Sequence, residues 1–234
     1  MTDFRTYQFD AVAGMVNYYT WIAEHFAPYL GSHCVEFGAG IGTLAGHILP
    51  RVDKLDLVEY VSVFADKLQT RFDKEDRVRI HTRGVETCQD DFQKGSIDSA
   101  IMVNVLEHIE DDTTTLIDIA EILKPGGHIL LFVPAMQFLF SELDRREGHF
   151  RRYHLDALCQ KVSASGYDIV DARYSDILGV LPWWFLNTLC GLTDINPTLA
   201  RIYDQVGVPV TRGLENFVRP PFGKSLFLIA AKSG

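Results

Sequence analysis

The chain has 234 residues, 47% of them apolar and 23% charged, with a formal net charge of −9. That length supports one large hydrophobic core, and the composition is ordinary globular usage rather than that of a disordered or repeat chain. The acidic balance works against nonspecific attraction to nucleic acid, and no zinc-finger, Gly/Arg-tail or aromatic RNA-binding pattern offsets it.

The N-terminal segment "MTDFRTYQFD" is polar and acidic and lacks a basic-then-apolar signal pattern. Residues 17–30, "NYYTWIAEHFAPYL", predict an amphipathic helix that breaks near Pro28, with Tyr18, Trp21, Ile22 and Phe26 on one side and Glu24 on the other. "HCVEFGAGIGTLAGHILPRV" reads as a first strand, a glycine turn and a helix. "KLDLVEY" (54–60) is a second strand, "VSVFADKLQTRF" a helix, "VRIHTRG" (78–84) a third strand, and 99–103 the core of a fourth. "DDTTTLIDIAEIL" predicts a helix stopped by "KPGG", and "HILLFVP" a fifth strand buried on both faces.

Alternation of strand and helix through five strands is the pattern of an open, mostly parallel sheet with helices on both faces. The rhythm then changes. Residues 135–153 read as a charged linker, "LDALCQKVSASGY" as a helix, "DIVDARYSD" as a strand and "SLFLIAAK" (225–232) as the closing strand. Between the last two strands lies a largely apolar excursion, 177–222, holding five of the chain's nine prolines. Its most apolar run, "ILGVLPWWFLNTLCGL", is 16 residues interrupted by proline and asparagine, too short for a confident spanning helix. Cys34, Cys88, Cys159 and Cys190 are widely spaced and form no CxxC pair, as expected of reduced thiols in a cytoplasmic protein.

Gly38, Gly40 and Gly42 end the first strand in a GxGxG spacing. Glycines there permit a tight turn and close backbone approach to a ligand, although a glycine turn alone also suits plain chain reversal. Glu59 ends the second strand, 21 residues after Gly38, where a carboxylate can accept both hydroxyls of a ribose. Glu36, two residues before the first glycine, would repel a pyrophosphate and suits a cofactor bearing a cationic amino group.

The set "VEFGAGIG", "LVEY", "NVLEHIED" and "LKPGGHILLFVP", in this order and spacing, resembles the class I S-adenosylmethionine-dependent methyltransferases. The resemblance covers about 30–176 plus 223–232. It implies a seven-stranded, mostly parallel Rossmann-like α/β sheet of order 3-2-1-4-5-7-6, with an insertion between the last two strands. It further implies a single domain over 1–234, with a cap-helix region at 1–30, a substrate-side linker at 135–153 and an apolar lid at 177–222. By the same resemblance Glu36 lies near the methionine amino group, Gly38, Gly40 and Gly42 line the methionine end, and Glu59 takes the ribose hydroxyls. Tyr60 lies beside the adenine, Val85 packs on its ring, and Asn104 approaches the methionine moiety. Gly84 stands where the family usually has an aspartate for the adenine amine, which leaves Glu86 in question as a substitute. Asn104 also reads as a plain turn-former, and His108 is a candidate catalytic residue that reads equally as a helix-start capping or packing residue. The acids of "EDD" (110–112) read as charges favouring a helix start, and no metal site is expected.

Residues 145–154 crowd four arginines and two histidines into ten positions. The wider run "SELDRREGHFRRYHLDAL" resembles a bacterial methyltransferase subgroup with a D…GHxRRY stretch after strand five and a closing "GxS" strand, matched here by "PFGKSLFLIAAK". The loop after strand five leaves the cofactor edge, so His149 is a candidate base and Tyr153 a candidate to orient the nucleophile. Arg151 and Arg152 either clamp an acceptor's carboxylate or phosphate or pair with Asp144 to fix the lid. Tyr18, Tyr19, Trp21, Trp183 and Trp184 are candidate substrate-binding aromatics, with Tyr7 a further one upstream. "LPWWF" suits a pocket wall, a membrane-surface anchor or a homodimer contact. The expected activity is methyl transfer to an oxygen or nitrogen of a small or amphipathic acceptor from natural-product, envelope, polysaccharide or lipid synthesis. A catalytically inactive cofactor-binding partner subunit and an NAD-dependent oxidoreductase are the alternatives.

Overall fold

The computed structural model describes residues 14–87 and 89–234, so Tyr7 and Cys88 lie outside the described residues. The first helix, α1 (Val16–Phe26), ends in a 3-10 turn over Ala27–Tyr29 that contains Pro28. It buries Tyr18, Trp21, Ile22 and Phe26, the stripe its 3.6-residue spacing predicts. There follow β1 (His33–Phe37), α2 (Thr43–Ile48), β2 (Lys54–Val58), α3 (Ser62–Arg71), β3 (Val78–His81) and β4 (Ile97–Val103). Then come α4 (Asp112–Ile122), β5 (Leu123–Pro134), α5 (Glu142–Glu147), α6 (Leu155–Ala164) and β6 (Tyr167–Ser175). The insertion carries α7 (Val180–Trp183), α8 (Pro197–Ile202) and α9 (Val208–Glu215), extended by π-helical turns at Trp184–Leu189 and Tyr203–Gly207. Strand β7 (Ser225–Lys232) closes the chain.

The seven strands pair in the order β3-β2-β1-β4-β5-β7-β6, the order expected from the sequence. Strands β1 to β5 pair in parallel, while β7 runs antiparallel between β5 and β6. Alternation along β5 divides the core. Leu130 and Phe132 face one layer, with Ile22, Phe26, Ile48 and Leu68 of the helices, and Ile129, Leu131 and Val133 face the other, with Leu116, Ile119, Leu158 and Val162.

The helix before "KPGG" stops at Ile122, as expected, and "KPGG" itself lies in the first part of β5, with Gly126 taking up the bend at φ 73°. The 135–153 linker is not merely a charged strap. Ser141 and Asp144 close a reciprocal capping box, and Gly148 ends α5 in the left-handed conformation at φ 87°. The N–H groups of Asn17 and Tyr18 donate to the Asp204 carboxylate, so the insertion caps α1 directly.

The insertion leaves from Ser175 and returns at Ser225, which pair with each other beside Pro134. Both ends therefore sit at the carboxyl edge of the sheet, the ligand-binding edge of open α/β folds. Among the described residues no helix is long and apolar enough to cross a membrane.

One buried ionic cluster braces the β1–β2–β3 half. Asp56, 1% exposed, meets His81 Nε2 at 2.7 Å, with His33 and Lys54 as further partners. Burial alone would raise its pKa, but hydrogen bonds from His81 and His33 and the Lys54 charge hold it near 2, against a usual 3.8. A depressed carboxylate stabilises the fold fully above its unfolded pKa and loses that contribution as pH falls through the folded value. Between pH 4 and pH 2 the protein should therefore lose at most about 2 kcal/mol at this position. Thermal melts of Asp56→Asn should start lower at neutral pH but show a shallower decline across that window. An equally steep decline would remove Asp56 from the acid transition.

Candidate active site

At the end of β1 the chain turns through Gly38, Gly40 and Gly42, all left-handed at φ 67°, 56° and 78°. A Cβ on Gly38 would stand 2.4 Å from Val105 Cγ2, and one on Gly42 2.6 Å from the Phe72 ring, so both positions need glycine for conformation and space. The N–H groups of Gly38 and Ala39 donate to Val58 O at 2.8 and 3.1 Å, lashing the turn to the end of β2.

Two buried carboxylates flank this turn. Glu59 Oε2 accepts from Gly40 N at 2.8 Å, and Oε1 accepts from Val61 N at 2.9 Å. Each carboxylate oxygen has a second lone pair, so capacity for two ribose hydroxyls remains. Glu36 is also buried, and its Oε2 has no hydrogen-bond partner among the described residues. Burial, then the Glu59 charge, push the Glu36 pKa up to about 8, against a weaker opposing pull from Arg71. A buried acceptor without a donor is costly unless a ligand supplies one, so this site fits a cofactor with an ammonium group. Tyr19 lies within electrostatic reach of Glu36.

Tyr60 is 62% exposed at the mouth of β2, while Val85 packs partly against the core in a 3-10 turn over Val85–Thr87. The Glu86 Oε2 atom lies 3.3 Å from where a Gly84 Cβ would be. A carboxylate thus reaches the place the missing side chain would occupy. Asn104 follows β4 at φ 53°, a left-handed position that asparagine tolerates, and its N–H donates to Phe132 O at 2.8 Å.

The GHxRRY stretch resolves into separate roles. Arg152 is buried and bidentate on Asp144, with Nη2 at 2.8 and 3.1 Å from its two oxygens, and its guanidinium stacks 4.7 Å over the Trp183 ring. Arg151 donates to the carbonyls of Ile109 and Glu110 and pairs with Asp112 at 2.8 Å. Of the two readings, Arg152 follows the pairing with Asp144, whereas Arg151 takes Asp112 as its partner instead. Tyr153 is likewise taken: its hydroxyl donates to Asp112 Oδ2 at 2.9 Å in a buried setting, which removes it from acceptor orientation. Burial and the Asp112 charge push its pKa well above the usual tyrosine range. Asp112 is accordingly no free helix-start charge; Asp111 performs the capping, accepting from Thr114 N.

His149 is half-buried at the carboxyl edge, with Nδ1 2.9 Å from Asp144 Oδ1 and its ring 4.5 Å from that of His108. Burial disfavours its charge, but Asp144 and then Glu107 win, so its pKa is raised. Glu107 is the residue that sequence reasoning missed. It lies inside "NVLEHI", fully buried, with neither carboxylate oxygen hydrogen-bonded among the described residues.

The aromatic candidates divide. Tyr18 and Trp21 pack into the core, edge-on to Phe132 and Phe227 at 5.7 and 5.8 Å. Trp183 is half-buried over Arg152 and donates to Leu139 O at 3.1 Å, while Trp184 faces outward. The insertion and β7 add a group no motif announced. Lys224 pairs with Asp176 at 2.8 Å and lies 5.5–5.7 Å from the rings of Tyr18, Trp183 and Tyr203.

Residues 35–129 match the methyltransferase-domain family. No curated protein matches. The fold is similar to an S-adenosylmethionine-dependent methyltransferase of Archaeoglobus fulgidus, at TM-score 0.67 and 13% identity, covering 98% of this chain and 100% of that one. It is similar to Haemonchus contortus phosphoethanolamine N-methyltransferase 2, at TM-score 0.64 and 18% identity, covering 93% of this chain and 53% of that one. It is also similar to the [4+2]-cyclase SpnF, at TM-score 0.61 and 15% identity, covering 93% and 81%. The chain thus has the class I S-adenosylmethionine-dependent methyltransferase fold, and residues 35–129 of it match a methyltransferase domain. The matched segment begins within β1 and ends in β5, and S-adenosylmethionine is the cofactor that this fold and match point to.

Proposed function

We propose that the protein transfers a methyl group from S-adenosylmethionine to an oxygen or nitrogen of a small or amphipathic acceptor, acting in the cytoplasm. The observation that carries this reading is the pair of buried carboxylates around the left-handed glycine turn, Glu59 for the ribose and the unpartnered Glu36 for the methionine ammonium. A dinucleotide would set a pyrophosphate against Glu36, which counts against an oxidoreductase. When bound, S-adenosylmethionine supplies an already activated sulfonium methyl, so the protein chiefly aligns donor and acceptor and excludes water. In this reading Gly38, Gly40 and Gly42 line the methionine end, Tyr60 and Val85 flank the adenine, and Glu86 accepts from its amine. Asn104 borders the methyl-bearing end, and Tyr19 closes over Glu36.

The acceptor enters beneath the insertion, against Trp183 and the polar group of Glu107, His108 and His149, which handles the acceptor's proton. An amphipathic acceptor is favoured because the insertion exposes the apolar side chains Leu181, Trp184, Phe185 and Leu189. The same face is what a membrane surface or a second copy of the chain would bury.

Calorimetry with S-adenosylhomocysteine tests the cofactor half. At pH 7 the free Glu36 carboxyl, with a pKa near 8, is mostly protonated. An ammonium beside it favours ionisation, so binding should release close to one proton (~0.9 from that pKa). Repeating the titration in buffers of different ionisation enthalpy reads this directly. No binding sinks the assignment, as does tighter binding of a nicotinamide dinucleotide. Transfer of labelled methyl from S-adenosylmethionine into small-molecule extracts separates an active enzyme from an inactive partner subunit.

A further inference from the structure

We propose that Glu107, His108 and His149 form a binding site for one divalent transition-metal ion of the zinc or iron(II) type. One carboxylate oxygen and two imidazole nitrogens lie within 4.8 Å of one another at the carboxyl edge of the sheet. Two histidines and one carboxylate are a donor set that such ions favour, and they leave coordination positions open. With bonds of about 2.0–2.2 Å, donors at tetrahedral angles around one ion stand about 3.3–3.6 Å apart, so closing the site draws the side chains together by about 1 Å.

A second, independent observation concerns Glu107 itself. Its side chain is fully buried and both oxygens are unpartnered, while His149 Nε2 stands 4.0 Å from Oε1, too far for a hydrogen bond. Burying a carboxylate without donors is expensive, and a cation between these groups would satisfy it. The surroundings also suit a metal. His149 Nδ1 contacts the Asp144 carboxylate, so Nδ1 carries the proton and Nε2 offers its lone pair, the outer-shell arrangement that orients a metal-binding histidine. Glu147 Oε2, 3.5 Å from the same nitrogen, is within reach as a further oxygen donor.

Glu107 and His108 occupy the 3-10 turn three and four residues beyond Asn104. An ion there would coordinate an acceptor hydroxyl and ease its loss of a proton to solvent. That use rests on the proposed methyl transfer; metal binding does not.

The test uses untagged full-length protein stripped with a chelator, then titrated with Zn²⁺ by calorimetry and with Co²⁺ by ligand-field absorbance. One ion per chain is expected. Glu107→Gln and His108→Ala should each weaken binding by at least about tenfold. His108 is exposed, so its replacement leaves the buried network in place, and a melt of each variant checks folding. S-adenosylhomocysteine affinity, measured on the same samples, should stay unchanged. Absence of stoichiometric binding overturns the site, as does binding undiminished in both variants. If the metal binds but S-adenosylhomocysteine does not, the functional reading fails while the metal site stands.

Discussion

Replacing Glu59 with alanine is expected to weaken S-adenosylhomocysteine binding by at least about 100-fold. Hydrogen bonds to a charged acceptor contribute about 1.5–3 kcal/mol each, and two ribose hydroxyls would converge on this carboxylate. Losing both removes about 3 kcal/mol or more, and each 1.4 kcal/mol is a factor of ten. The geometry adds a second cost. Glu59 also accepts from Gly40 and Val61, so it fixes the turn whose backbone the methionine end must approach. Glu59→Gln separates the two effects. Its amide oxygen can still accept, but its NH2 group faces donors, so it should lose about tenfold. Calorimetry ranks the three proteins as wild type, glutamine, alanine. Equal affinity for wild type and alanine would remove Glu59 from the ribose site.

The sheet was legible because its signals are local. The run "HILLFVP" is apolar at nearly every position, as a strand buried on both faces must be, and the glycine turn with Glu59 has a spacing fixed by backbone geometry. Glu107 was hidden for the opposite reason. It sits in "LEHIEDD", which reads as a solvated acidic turn, but in the fold that turn packs against β5 and Phe150 N–H donates to Glu107 O at 2.9 Å. Arg151 was ambiguous because its carbonyl partners on Ile109 and Glu110 lie about 40 residues upstream, beyond any local pattern. The burial of Tyr18 and Trp21 in the core was not legible, because an amphipathic stripe looks the same whether it meets a core or an acceptor. Gly84 shows the converse. The sequence revealed a missing aspartate, but only the fold shows the Glu86 carboxylate reaching the same space.

Asp144→Asn is expected to cost about 3–5 kcal/mol, the usual penalty for stripping one partner from a buried charge pair. Asp144 is fully buried and satisfies more donors than any residue motif suggested. Oδ1 takes Arg152 Nε and Nη2 and His149 Nδ1, while Oδ2 takes Ser141 N and Oγ at 2.7 Å. Burial opposes ionisation, yet hydrogen bonding from His149 and the Arg152 charge hold the pKa near 2. An isosteric amide keeps the shape but turns an NH2 group against these donors and leaves Arg152 charged and unpaired. Thermal unfolding of Asp144→Asn, Arg152→Met and the double variant gives the coupling energy directly. If Arg152 serves the fold, the double variant should regain part of the loss, because an apolar replacement no longer strands a buried charge. Recovery should be incomplete, since the α5 cap and the His149 orientation also depend on Asp144. If Arg152 instead clamps an acceptor, Arg152→Met alone should leave the melting temperature near that of wild type. The buried bidentate geometry and the Trp183 stack predict that it does not.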